Sequence, residues 1–132
     1  MGKTSLVTAL RDDNGAIYAI VDEDGKTVPM GATEASIFSL AANYVLSEQD
    51  NHGIIVNNTA TPRTVTVPAG LPHGFSVQIV QKGAGAVTVA AGAGATVTSK
   101  DGFTKTNGAN TMLAVTNSGV VDDYLLTGQG VA

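Results

Sequence analysis

The chain has 132 residues, and its bulky side chains are few: three Phe, three Tyr, three Met and no Trp. Its net charge is −4 and its basic residues form no block, which argues against nucleic-acid binding through phosphate neutralisation. It has no Cys, which excludes disulfides, thiolate metal sites and cysteine nucleophiles. Because one subunit offers little apolar bulk, we expect burial between copies of the chain to stabilise the fold.

Residues 1–32 predict a small β-meander. Ser5–Leu10 and Ala16–Val21 are typical of strands, and Asn14-Gly15 and Asp24-Gly25 are dipeptides that favour tight hairpin turns. Isolated hairpins are only marginally stable in water, so we expect this arm to lean on the rest of the chain, a sister subunit or another surface. The arm shows no secretory-signal pattern, and no segment of the chain is apolar for long enough to span a membrane, so we expect a soluble protein made in a cytoplasm.

Residues 31–42 leave helix and strand open. Ile37 and Leu40 fall at helical spacing, but the following segment NYVLS is equally typical of a short strand. We expect a helical turn or loop near Thr33–Phe38 and a strand around Tyr44–Leu46.

From Gly53 onward the pattern predicts strands alone. Arg63–Pro68 alternates Thr and Val, and Phe75–Lys82 alternates apolar and polar residues, with Gln81 expected off the apolar face. Short strands at a spacing of roughly eight to twelve residues indicate a sandwich, barrel or β-roll. The predicted fold class is therefore all-β, a short-strand antiparallel sandwich or β-barrel-like domain over residues 33–132, preceded by the meander arm. The expected bulky core residues are Phe75, Ile79, Tyr124, Leu125 and Leu126.

One short repeat interrupts these strands: Gly83–Ala91 is followed by a second copy, Gly92–Lys100. Nonapeptide calcium β-rolls have this period but need an Asp in each repeat, and neither copy has one. We therefore expect two strands of one hairpin, each entered through a Gly-Ala turn. Gly and Ala beside a strand let another backbone approach closely, which favours tight packing, for example against another subunit.

The order of the motifs between Leu46 and Gly128 resembles a β-module of tailed-bacteriophage virion proteins. The matching pieces, in chain order, are LSEQDNHGIIVNN, RTVTVPAGLPHGFSVQIVQKGAGAVTVAAGAGATV and DDYLLTGQG. The resemblance implies a non-enzymatic structural protein of the virion, such as a capsid decoration protein, a head fibre or a part of a tail fibre. It also implies a homotrimer that needs no cofactor and contacts the major capsid protein or another virion protein.

The shortness of the chain favours a decoration or head-fibre protein on the capsid surface over a tail fibre with a long shaft. In that case residues 1–32 would dock on the shell. The candidate capsid-docking residues are Leu6, Val7, Leu10, Ile17, Tyr18 and Ile20. The alternative is a fibre tip that binds a host-surface glycan through the loops Gln49–Gly53, Ala69–Gly74 and Lys100–Gly108. The candidate exposed loop residues are Asp50, Asn51, His52, Pro72 and His73.

Catalytic and metal sites are weakly indicated. His52 lies near Ser47 and Asp50, but a polar residue before Gly is ordinary in a turn, and nothing specifies a nucleophile–base pair. The carboxylates of Asp12-Asp13, Asp22-Glu23-Asp24 and Asp122-Asp123 could bind a hard cation, but they fit solvated turns better. We therefore predict no catalytic residue, no metal and no cofactor.

Overall fold

The computed structural model describes residues 8–11, 17–21, 27–29 and 36–132. In these residues the secondary structure is strand and turn, with a single 3-10 turn at Glu48–Asp50 as the one helical element, so the all-β prediction is confirmed. No helix in this part of the chain has the length and apolar character to cross a membrane. The chain divides into two compact units, Met1–Glu34 and Ala35–Ala132.

The first unit contains a three-stranded antiparallel sheet. Its strands are β1 (Thr8–Arg11), β2 (Ile17–Val21) and β3 (Thr27–Pro29), in the order β1-β2-β3. Strands that are adjacent in sequence are therefore adjacent in the sheet, which is the meander that the residues before Pro29 predict.

The second unit contains eleven strands in two sheets. Its strands are β4 (Ile37–Ser39), β5 (Tyr44–Val45), β6 (Ile54–Asn57), β7 (Arg63–Val67), β8 (Ser76–Gln81), β9 (Val87–Ala91), β10 (Thr96–Thr98), β11 (Lys105–Thr106), β12 (Thr111–Asn117), β13 (Asp123–Gly128) and β14 (Gly130–Val131). Sheet I has the order β10-β13-β12-β8-β6-β4, and sheet II has the order β14-β11-β9-β7-β5.

From β4 to β9 the chain winds like a solenoid. Successive strands alternate between the two sheets, and each pairs in parallel with the strand two positions earlier. The predicted antiparallel arrangement is wrong for these strands, because a chain that returns to a sheet after a full coil arrives in the direction in which it left. The three coils are β4-β5, β6-β7 and β8-β9.

The rest of the unit is largely antiparallel. Strand β12 pairs antiparallel with β8 and β13, and β11 pairs antiparallel with β9 and β14. The predicted hairpin of Gly83–Lys100 is wrong. Its first strand, β9, lies in sheet II, whereas β10 lies in sheet I and pairs in parallel with β13. The turn between these strands carries the chain across from one sheet to the other instead of folding it back.

Residues 36–42 form no helix, and Ile37–Ser39 is strand β4, so the helical turn expected there is wrong. The strand near Tyr44 is confirmed as β5. Parallel pairing with β6 gives β4 its hydrogen-bond partners, and this tertiary contact overrides the helical spacing of the apolar residues.

A single apolar core lies between the two sheets. Phe75, Ile79, Tyr124 and Leu126 are buried as predicted, and the Phe75 and Tyr124 rings meet edge to face with their centroids 6.4 Å apart. Leu125 is 47% exposed, so its predicted burial is wrong, because alternate residues of β13 face opposite sides. Each buried large apolar side chain contributes about 1.5–3 kcal/mol.

Candidate functional site

The turns that lead from sheet II to sheet I, together with the β12–β13 turn, form one edge of the second unit, which we call the loop edge. It comprises residues 46–53, 68–75, 92–95 and 118–122. Hydrogen bonds tie neighbouring turns to one another. The Ser76 N–H donates to the Asn51 side-chain carbonyl (3.1 Å), the Gly74 N–H to that of Asn117 (3.1 Å), and the Gly70 N–H to the Asp122 carboxylate (2.8 Å).

The structure places the five candidate loop residues differently. His52 and His73 are exposed, and Asn51 and Pro72 are half-buried. Asp50 is only 6% exposed, so its prediction as an exposed loop residue is wrong. The reason is local: a carboxylate at this position of the 3-10 turn can satisfy donors that the turn would otherwise leave without partners.

The Asp50 carboxylate is a structural acceptor. It receives hydrogen bonds from the Tyr44 hydroxyl (2.8 Å), from the Ser47 N–H (2.8 Å) and from the Ser47 hydroxyl (3.4 Å). Burial raises the pKa of Tyr44 above its usual value, and the hydrogen bond to Asp50 and the negative charge of that carboxylate raise it further. Asp50 and Ser47 are thus engaged with each other and with Tyr44 rather than with His52.

A shallow groove of about 300 Å³ opens where sheet I meets the loop edge. It is lined by His52, Gly53, Ile54, Ser76, Val77 and Gln78. The His52 N–H donates to the Ser76 carbonyl (2.6 Å) and the Gln78 N–H to the Gly53 carbonyl (3.1 Å), so the backbone under the groove is fixed. His52 adopts a left-handed backbone conformation with φ of 62°, which a residue with a Cβ seldom occupies.

The groove can form hydrogen bonds without carrying a formal charge. An imidazole, a hydroxyl and a carboxamide, from His52, Ser76 and Gln78, surround the apolar side chain of Ile54. Such a set suits a neutral polar molecule with an apolar face, and a sugar ring is one example.

The opposite edge, which we call the glycine edge, comprises the turns 58–62, 82–86 and 107–110. Asn57 is fully buried beneath it. Its Nδ2 donates to the carbonyls of Thr61 (2.9 Å) and Gly85 (3.0 Å), and its Oδ1 accepts from the Thr59 N–H (3.2 Å) and hydroxyl (2.7 Å). This one side chain therefore joins two successive coils.

The repeated glycines belong to the same edge. A Cβ on Gly83 would lie 2.6 Å from the Thr59 carbonyl oxygen, and a Cβ on Gly85 would lie 2.6 Å from the Thr61 carbonyl carbon. The close backbone approach that the Gly-Ala run predicts is therefore present, but the approaching backbone is the preceding turn of the same chain.

A second buried polar group on this edge, Gln81, was assigned by the sequence pattern to the wrong face. Gln81 is 2% exposed and its Oε1 accepts a hydrogen bond from the Thr106 hydroxyl, which itself accepts from the Val87 N–H (2.9 Å). The Gln81 Nε2 donates to the Gly83 carbonyl (3.0 Å). Its odd position in β8, in step with Val77 and Ile79, is the sequence signal for its burial.

The acidic pair that the structure describes lies in a turn. The Asp122 carboxylate accepts from the Gly70 N–H, and the Asp123 carboxylate accepts from the Ser118 hydroxyl (2.6 Å). Over the described ranges, no three His, Cys, Asp or Glu side chains cluster in a way that could hold a metal ion. The pairs Asp12-Asp13 and Asp22-Glu23-Asp24 lie outside those ranges.

The candidate docking residues belong to the first unit. Leu10 lies on β1, and Ile17, Tyr18 and Ile20 lie on β2. Leu6 and Val7 lie outside the described residues. The docking role of all six stays a prediction.

Comparison of the chain with models of known protein families finds no match, and comparison with curated proteins finds none either.

Proposed function

We propose that this chain is a structural protein of a bacteriophage virion, a capsid decoration or head-fibre protein that binds the major capsid protein as a homotrimer. The observation that carries the proposal is the division into two compact units, a small β-meander and a larger two-sheet unit. The segment that resembles the virion module, Leu46 to Gly128, falls entirely within the larger unit. A separate small unit leaves the meander available for docking.

The mechanism is mechanical rather than catalytic. The meander contacts the shell, and the larger unit supplies a stiff body whose turns are joined by the side chains of Asn51, Asn57, Asn117 and Asp122. Each trimer would bind several shell subunits at once. Weak contacts that act together hold far more tightly than any one of them alone, so trimers could reinforce a shell against internal pressure.

A sedimentation experiment tests this function. Full-length protein is mixed with heads that lack it, and the amount that sediments with the heads is measured. We expect saturable binding that falls at least tenfold for Tyr18→Lys and Ile20→Lys, because a charge in an apolar docking surface would have to be desolvated. The matched control is Val121→Lys, which adds the same charge at a 75% exposed turn of the larger unit. Unchanged binding by both meander variants would contradict the docking role.

The groove at the loop edge favours a second candidate, a fibre tip that recognises a neutral host-surface glycan. His52 and Gln78 are exposed and flank the apolar Ile54. Titration of neutral oligosaccharides, followed by NMR shifts of the groove residues, tests it. We expect His52→Ala and Gln78→Ala to abolish the shifts and the adsorption of the protein to host cells, and Thr88→Ala, on sheet II, to leave both unchanged. Recovery of the protein with tails rather than heads would favour this candidate over decoration.

A further inference from the structure

The outward side of sheet I is uniform in its chemistry. In β8 the buried residues are Val77, Ile79 and Gln81, so the even-numbered residues point away from the core. The pairing register carries this pattern across the sheet: Val56 is opposite Val80, and Val80 is opposite Met112. We call this surface the outer face of sheet I. Its side chains belong to Ile37, Ser39, Ile54, Val56, Ser76, Gln78, Val80, Thr96, Thr98, Met112, Ala114, Thr116, Asp123, Leu125 and Thr127.

The middle of this face is apolar and partly open to solvent. Strands β8 and β12 are the central pair of the sheet, and Met112 is 39% exposed there. Towards the two sides, Ile37 is 68% exposed and Leu125 is 47% exposed. Contiguous apolar surface of this kind on a sheet marks a contact site far more often than isolated apolar side chains do.

The face also lacks charge. Asp123 is the single charged residue among its side chains, all of which the structure describes; it lies at the loop edge and accepts a hydrogen bond from the Ser118 hydroxyl. The outward side of sheet II is different, since Thr64, Thr66 and Thr88 cover it and Lys105 lies opposite Thr88. Sheets that face water usually carry charged residues that prevent association, and sheet I has none in its centre.

Charge also indicates what covers this face. The chain has a net charge of −4, so two copies repel each other unless they meet through an uncharged surface. An uncharged apolar face is complementary to a second face of the same kind, because neither has to desolvate a charge. A basic or acidic partner would find no opposite charge at its centre.

We propose that the outer face of sheet I, centred on Val80 and Met112, is the surface through which copies of this chain contact one another. The inference rests on the proposed homotrimer and assigns its contact surface. The repeated glycines do not serve this purpose, because the turn of Thr59 and Thr61 already occupies the space beside Gly83 and Gly85.

Size-exclusion chromatography with light scattering tests the assignment on the full-length protein. We expect the wild type to have a mass that is a multiple of 13.3 kDa. Met112→Lys and Ile37→Lys should shift it to the monomer mass, or raise the dissociation constant at least tenfold. Thr66→Lys adds the same charge to sheet II and should leave the mass unchanged. Circular dichroism and thermal melting establish that each variant is folded. A monomeric wild type, or lysine variants that keep the full mass, would overturn the proposal.

A cross-linking experiment gives a second readout that does not depend on weakening the contact. The sequence has no Cys, so Met112→Cys and Thr66→Cys each introduce a single thiol. With a bifunctional maleimide, we expect Met112→Cys to yield covalent dimers and Thr66→Cys to remain monomeric on a denaturing gel. Cross-links from Thr66→Cys alone would overturn the assignment.

The two proposals can fail independently. Oligomers that form through this face but do not bind heads would leave the contact surface intact and contradict the decoration function. Binding to heads by a protein whose oligomer survives Met112→Lys would support the function and overturn the contact surface.

Discussion

The side-chain amide of Asn57 donates a hydrogen bond to the carbonyl of Gly85, 28 residues later and one coil further along the solenoid, at 3.0 Å. The same nitrogen also donates to Thr61, so a single buried group holds two stacked turns together. The glycine edge is therefore stabilised by side-chain amides inside the unit and by the absence of side chains between its turns.

Replacing Asn57 tests this arrangement. Asn57→Ala leaves the carbonyls of Thr61 and Gly85 without their donor and removes the acceptor of the Thr59 N–H. We expect the free energy of unfolding, measured by urea denaturation at pH 7, to fall by about 2–4 kcal/mol. Asn58→Ala is the matched control, because Asn58 is the exposed neighbour. Its change should stay within about 0.5 kcal/mol, and equal effects of the two variants would contradict the role of Asn57.

The glycines of the repeat make a separate prediction. In Gly85→Ala the new Cβ would overlap the Thr61 backbone, and a backbone cannot move aside as a flexible side chain can. We expect a loss of at least about 2 kcal/mol in the free energy of unfolding. Gly102→Ala is the comparison, since Gly102 has a φ of 76° but nothing within 4 Å of a Cβ. It should lose only the strain of a left-handed residue, about 1–2 kcal/mol. A Gly85→Ala protein as stable as the wild type would refute the close packing of the turns.

The pair of Tyr44 and Asp50 predicts an alkaline pH dependence. The pKa of Tyr44 is raised in the folded protein, chiefly by burial and then by Asp50. The folded state therefore favours the protonated phenol, and its stabilising effect is complete below the unfolded pKa of about 10 and is lost as the pH rises through the folded pKa. We expect the free energy of unfolding to decline above about pH 10.

In Tyr44→Phe this decline should be smaller. At pH 7 the variant should already be less stable by about 1–3 kcal/mol, because the buried Asp50 carboxylate loses a donor. Tyr124 keeps part of the alkaline decline in the variant, since burial and the charge of Asp122 raise its pKa as well. Urea denaturation from pH 7 to pH 11 measures both effects, and identical pH profiles for the two proteins would exclude the Tyr44 contribution.

The left-handed conformation of His52 makes a prediction of opposite sign. Glycine occupies a φ of 62° without strain, so we expect His52→Gly to stabilise the protein by about 0.5–1 kcal/mol in thermal or urea denaturation. His73→Gly, at an exposed turn position outside the left-handed region, should be neutral or slightly destabilising. If the groove binds a glycan, His52→Gly should lose that binding while gaining stability. A destabilised His52→Gly protein would show that the imidazole itself holds the turn together.

Much of the larger unit follows from local sequence. Alternation in Arg63–Pro68 and Phe75–Lys82 predicts which residues are buried, and Val65, Val67, Phe75 and Ile79 are all inside. The turn at Glu48–Gly53 and the final strand are also where the sequence predicts them. These features depend on residues close together in the chain, whose side chains point to alternate faces whatever the strand pairs with.

The candidate groove was only partly predictable. Asn51 and His52 are predicted at a turn, and the structure places them there, but the groove also needs Gln78, which a neighbouring coil supplies. The burial of Asp50 likewise depends on a donor six residues away, the Tyr44 hydroxyl, and the residue type alone does not reveal it.

The sequence by itself determined that the chain is all-β, where most strands and turns lie, and which alternate side chains are apolar. Tertiary structure alone decided that β4 to β9 pair in parallel, that β9 and β10 belong to different sheets, and that Gly83 and Gly85 face a turn of their own chain. The physical reason is that a two-residue alternation reports burial and not the partner. Parallel and antiparallel neighbours bury the same side of a strand, and the choice between them depends on contacts between residues far apart in the chain.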